Sequence, residues 1–117
     1  MRVQKKINIQ NKKARFEFEI LDKYTAGIQL TGTEIKSIRE SKARITESFC
    51  EFNDRGELFI VNMYIEEYSF GHHFNHKTTS ERRLLLNKRE LRSLQKDVEA
   101  KGNTIVPLRL FLNENGW

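Results

Sequence analysis

Short alternating or wholly apolar runs, parted by turn residues and interrupted twice by helical spacing, predict a mainly β fold. The architecture they describe is an antiparallel barrel of about six strands with two or three flanking helices. Three observations lead there. "FEFEI" at 16–20 has a period of two. "ESFCEF", "NDRG" and "ELFIVNMYI" read as strand, turn and strand. "NTIVPLRLFL" sets Val106, Leu108, Leu110 and Leu112 on one face. At 117 residues with 38% hydrophobic side chains, the chain can build one core and is too short for two ordinary domains.

Taken in order, residues 1–12 read as a basic N-terminal arm and 13–117 as the barrel. Phe16, Phe18 and Ile20 face inward and Glu17 and Glu19 outward. Asp22 and Lys23 turn the chain, and "YTAGIQL" returns to Leu30 with Gly27 at a bulge or a close backbone approach. Thr31, with Glu34 three residues on, makes a capping box that opens a helix over about 32–40. Leu30 is placed to staple onto Ile35; Ile35 and Ile38 face inward, and Lys36, Ser37 and Arg39 point elsewhere. Leu58 to Val61 is apolar on both faces, as in a strand covered twice. "SFGHHFNHKTTS" at 69–80 is aperiodic and reads as an exposed loop, ending in a strand led by Arg82 and Arg83. Asn87 and Glu90 form a second capping box, for a helix over 88–101 with Leu91, Leu94 and Val98 as its inner stripe and Gly102 as its stop. Pro107 donates no hydrogen bond and belongs at an edge or bulge. "NENGW" carries an Asn-Gly hairpin signal with no strand after it. The barrel is therefore expected to be truncated before a final strand, with an open edge on 104–112. A small barrel with these helices is of the OB type.

Charge is distributed unevenly. Residues 1–15 carry six basic and no acidic groups, 16–76 six and eleven, 77–96 seven and two, and 97–117 two and three. Two basic segments flank an acidic middle. Like charges gathered in this way repel one another unless a polyanion is bound, which points to nucleic acid or an anionic membrane. Only Val3, Ile7, Ile9 and Ala14 lie between the charges of the first segment, too few for a lipid-binding amphipath, so no membrane partner is expected. No run of eighteen apolar residues and no signal-peptide stretch is present, and the single cysteine, Cys50, reads as a small buried hydrophobe. These features fit a cytoplasmic protein.

No catalytic constellation emerges. His72, His73 and His76 form H-H-x-x-H without Cys, Asp or Glu in the loop, so no metal is expected. There is no Gly-rich phosphate loop and no G-x-S-x-G, and no cofactor or small-molecule substrate is implied. Not an enzyme but a binder of RNA or single strands is the expectation, because barrels of this type bind oligonucleotides with basic loops and aromatic faces. The alternative is a protein-interaction barrel whose basic segments dock an acidic surface.

"NKKAR", "AGIQLTGTEIKSIRESKA", "FNH", "RRLLLNKREL" and "KGNTIVPLRLFL", in this order, closely resemble the bacterial SsrA-binding protein family over about Asn11 to Leu112. The resemblance implies binding of the tRNA-like domain of transfer-messenger RNA at its D-loop and elbow, and delivery to stalled ribosomes for peptide tagging. It places Asn11, Lys12, Lys13 and Arg15 on the RNA, Arg15 and the lysines at phosphates. It adds Gly27, Gly32, Glu34, Lys36 and Ser37 around the first helix, and Asn75, His76, Arg82 and Arg83. The glycines would admit RNA to the backbone. Glu34 would accept from a base or 2′-hydroxyl, or else serve the capping box. Two positions depart from the family: Thr25 stands where a glutamate is usual, keeping an acceptor without the charge, and Phe16 stands where histidine is common. The resemblance implies a further strand and a basic tail beyond these residues, so residues 1–117 by themselves are expected to retain some RNA affinity and to need that tail for ribosome rescue.

Overall fold

The computed structural model describes residues 8–17, 20, 22–70 and 75–111. Among the described residues, eight short strands and three helices follow one another as β1 (Asn8–Gln10), α1 (Lys12–Glu17), β2 (Gly27–Ile28), α2 (Gly32–Arg39), β3 (Ala43–Arg44), β4 (Phe49–Phe52), β5 (Leu58–Val61), β6 (Tyr64–Ile65), β7 (Arg82–Leu85), α3 (Lys88–Lys101) and β8 (Arg109–Phe111). All strand pairs are antiparallel. A four-stranded sheet has the order β2-β7-β5-β4, and β1-β8 and β3-β6 form two-stranded ribbons. A single bridge between Cys50 and Ile105 ties β4 to the segment leading into β8. The fold is therefore mainly β and antiparallel, as the patterning predicts; hydrogen bonding among the described residues does not close it into a barrel.

The hairpin is where the turn signal places it. Phe52 pairs with Leu58, and Asn53 Oδ1 accepts from the backbone N–H of Arg55 and of Glu57 across a tip that Gly56 turns at φ +75°. Leu58 and Ile60 of β5 are buried, with Phe59 and Val61 half-buried on the other face. Both predicted capping boxes form, Thr31 with Glu34 and Asn87 with Glu90, and α3 ends at Gly102 in the left-handed region. The core gathers Ile38, Ala43, Ile45, Ile60, Met63 and Ile65, with Ile28, Leu30, Cys50, Leu84 and Leu110 packed against it.

Three expectations are corrected. The strand expected from Phe16 is helix at its start, since α1 runs through Glu17; residues 18–19 lie outside the described ones. Six residues cannot hold a helix in water alone. What holds it is a local cap with tertiary anchors: Asn11 Oδ1 accepts the Ala14 N–H, Asn11 Nδ2 is fixed by the Ile45 and Pro107 carbonyls, and Ala14 is buried. Ser37, expected to point away, is fully buried on the inner face of α2 beside Ile38. The last strand is shorter than 104–112, because Pro107 breaks the ladder between the Ile105 bridge and β8, and β1 already occupies one edge of β8. Within the segment expected as an arm, residues 8–10 are strand β1, and residues 1–7 lie outside the described ones.

Candidate nucleic-acid interface

A network of buried polar groups holds α2 against the segment after β6. The Arg82 Nε donates to Glu34 Oε2; Nη1 donates to the Met63 carbonyl at 2.6 Å, and Nη2 to the carbonyls of Lys77 and Thr78 at 3.2 Å. Glu34 spends its other oxygen on the Thr31 backbone N–H at 2.8 Å, closing the capping box. Both carboxylate oxygens are thus taken, and both side chains are buried, 2% and 4% exposed. A paired and fully hydrogen-bonded ion pair can sit in a core, whereas an unpaired one cannot. Glu34 therefore serves the capping box and the ion pair together.

His76 adds a second tie. Its Nε2 donates to the Ile65 carbonyl and its Nδ1 meets the Thr33 hydroxyl, each at 2.9 Å. Since a carbonyl only accepts, Nε2 carries a proton, and the Thr33 hydroxyl, which can donate or accept, completes the tie at Nδ1. Asn75 works on the backbone: Nδ2 donates to the Tyr68 carbonyl at 2.7 Å, and Oδ1 accepts the Tyr68 N–H at 3.0 Å. His72 and His73 lie outside the described residues, and no group able to hold a metal exists among the described ones.

The expected site residues thus separate into layers. Lys12, Lys13 and Lys36 are exposed cations on helices. Lys13 reaches Glu47 at 3.2 Å in a solvent-exposed pair, and Lys36 lies 5.4 Å from the centre of the Tyr68 ring. Arg15 is on α1, with its side chain outside what is described. Beneath the cations, Asn11 is buried, its Nδ2 donating to the carbonyls of Ile45 and Pro107 at 3.2 and 2.9 Å. Glu34, Ser37 and Arg82 form the floor under α2. Arg83, one position along β7 from Arg82, faces the other side and pairs with Glu57 at 3.0 Å. There the side-chain hydrogen bond from Asn53 holds the Glu57 carboxyl below the usual carboxylate range, with the Arg83 charge adding to it. Thr25, Gly27 and Gly32 are exposed; an added Cβ on Gly32 would meet nothing, and one on Gly27 would touch Leu85 at an ordinary 3.5 Å. Tyr68 lies beside Lys36 and Phe70 packs on Tyr68, a placement the sequence does not show, because aromatic residues in an aperiodic loop carry no signal of where they point.

Away from these cations, a cavity of about 710 Å3 lies between α3 and the sheet, lined by Ile28, Ile60, Leu84, Leu94 and Val98. Of the expected site residues only Thr25 reaches its wall. Cys50 lines it as well, and burial pushes its thiol up to about 12, so it stays protonated and is no nucleophile at neutral pH.

Exposed cations carried on helices, pinned from below by buried polar ties, with no assembled catalytic group among the described residues, define a small basic binding protein on an antiparallel β scaffold. The profile of the SmpB protein family matches residues 8–117. SsrA-binding proteins of Flavobacterium johnsoniae and Flavobacterium psychrophilum are 70% and 67% identical over 112 residues, covering 96% of this chain and 74% of each relative. That of Rhizobium meliloti is 48% identical over 115 residues. A solved chain from a structure of tmRNA–SmpB and the bacterial ribosome superposes with a TM-score of 0.76 at 47% identity, over 95% of this chain and 77% of its own length. The chain belongs to the SmpB protein family.

Proposed function

We propose that this chain binds transfer-messenger RNA through its tRNA-like domain and carries it to stalled ribosomes, where the stalled peptide is tagged. The observation that carries the reading is the likeness, over 95% of the chain, to a protein seen with tmRNA and the bacterial ribosome. The family acts by binding RNA and is not one of enzymes; the cytoplasm, where ribosomes translate, is the proposed location. Among the described residues no helix is long and apolar enough to cross a membrane.

The contacts divide by burial. Lys12, Lys13 and Lys36, with Arg15, neutralise phosphates, the term that dominates RNA affinity. Asn11, Glu34, Ser37 and Arg82 hold the helices that present them, Gly32, Asn75 and His76 border the same RNA face, and Thr25, Gly27 and Arg83 are RNA contacts outside it. The strands from β2 to β8 are parts of one OB-like barrel spanning 13–117, with residues 1–12, which include β1, alongside as a further phosphate contact.

The test is binding of the tRNA-like domain beside an ordinary tRNA at two salt concentrations, with Lys12→Glu and Lys36→Glu variants. Selective binding, with a log-log salt slope that falls by about 0.7–0.9 for each phosphate contact removed, supports the reading. Weak binding that ignores RNA identity and responds only shallowly to salt would instead favour docking to an acidic protein surface.

A further inference from the structure

Phe70 is 71% exposed, the most open large apolar side chain among the described residues. It is not isolated. Its ring stands edge to face against Tyr68, centroids 5.6 Å apart and planes 70° apart, and Tyr68 in turn carries the Lys36 ammonium at 5.4 Å. A solvated aromatic ring with no function costs solubility, and the neighbouring ring, that of Tyr68, stands on a tied backbone. The two hydrogen bonds from Asn75 fix both backbone polar groups of Tyr68, while His76 and Arg82 tie the flanking residues Ile65 and Thr78 to α2 through Thr33 and Glu34. The arrangement is thus an aromatic shelf anchored at Tyr68, at the rim of a helix that presents a cation.

We infer that Tyr68 and Phe70 form a stacking platform for one unpaired nucleobase of the bound RNA, with Lys36 taking the phosphate beside it and Asn75 acting as a positioning residue. The inference rests on the RNA-binding reading above and names a site within it. Charge selects the occupant. Glu66 and Glu67, both exposed, precede the shelf and repel phosphate, so the ring face is left to an uncharged group while the phosphate is drawn to Lys36. An unstacked loop base has that division: a neutral π-face on an anionic backbone. Edge-to-face packing leaves a face of Phe70 free for it, and stacking on an aromatic side chain needs no particular base.

The experiment measures affinity of the full chain for the fluorescently labelled tRNA-like domain. Phe70→Ala is expected to weaken binding about 5-fold or more, with the salt slope unchanged because no phosphate contact is lost. Lys36→Glu should lower the slope as well as the affinity. Phe70→Trp, made with Trp117→Phe so that the new indole is alone, should restore affinity and show emission quenched on RNA binding. Because Phe70 is exposed, its removal should leave the unfolding midpoint in place, which separates a lost contact from a lost fold. Selective wild-type binding that Phe70→Ala leaves intact overturns the platform while sparing the RNA-binding reading. Absence of selective binding by the wild-type chain overturns both.

Discussion

Ser37 shows how burial alters the meaning of a residue. Its hydroxyl is buried with no hydrogen-bond partner among the described residues, on a helix where alanine is the better former. Ser37→Ala should therefore stabilise the chain by about 0.5–2 kcal/mol in urea unfolding and leave RNA affinity unchanged. An affinity loss at unaltered stability would show that the hydroxyl reaches the RNA after all. Cys50 supplies a pH signature. Its folded thiol is raised to about 12, whereas an unfolded thiol titrates near ~8.5, so above that pH the native state holds a proton that the unfolded state has released. The associated stability is fully present below about pH 8.5 and is lost as pH climbs toward the folded value, with a limiting slope of about 1.4 kcal/mol per unit. Unfolding midpoints between pH 8 and 10 should fall more steeply for the wild-type chain than for Cys50→Ala. Equal slopes would mean that the thiol is not shielded.

Helix α2 is attached as well as formed. Removing one member of the Glu34–Arg82 pair strands the other charge in the core, so Glu34→Ala and Arg82→Ala should each cost about 3–5 kcal/mol. The double variant should cost clearly less than the two losses combined, because it leaves no orphan. Additive losses would mean that the pair does not act as a unit. Since Arg82 also gathers the carbonyls of Met63, Lys77 and Thr78, either single change should loosen the shelf around Tyr68 and lower RNA affinity along with stability. Helix α3 depends on local chemistry instead. Asn87→Ala removes the acceptor for the Glu90 N–H and should cost about 1 kcal/mol. Gly102→Ala forces a side chain into φ +66°, costing about 1–2 kcal/mol. Circular dichroism during chemical denaturation checks both, and a silent Asn87→Ala would put the start of α3 elsewhere.

The whole molecule carries a net charge of +5, concentrated toward two segments, and a polyanion that binds only the folded chain should stabilise it by mass action. At an RNA concentration about 100 times the dissociation constant the gain is about 2.7 kcal/mol, which should raise the melting midpoint by several degrees. High salt should abolish the rise as the phosphate contacts weaken. A midpoint indifferent to RNA at low salt would argue that the basic surfaces serve another partner. Local rules were enough to read both capping boxes, the β4–β5 hairpin, the Gly102 stop and the antiparallel β class, because each rests on residues two to a few positions apart. The same rules misread the start of "FEFEI", where alternation competed with a cap. Asn11 decides that contest through groups 34 and 96 residues away, Ile45 and Pro107. The cations of the candidate face were likewise visible as charges in the sequence. Which candidates lie at the surface was not, since Glu34 meets Arg82 across 48 residues and Tyr68 gains its cation from another element. Capping and alternation are settled by backbone geometry within one turn or strand, so they can be read from neighbours; burial and pairing of polar groups follow from which distant segments the fold brings together, and only the tertiary structure decides those.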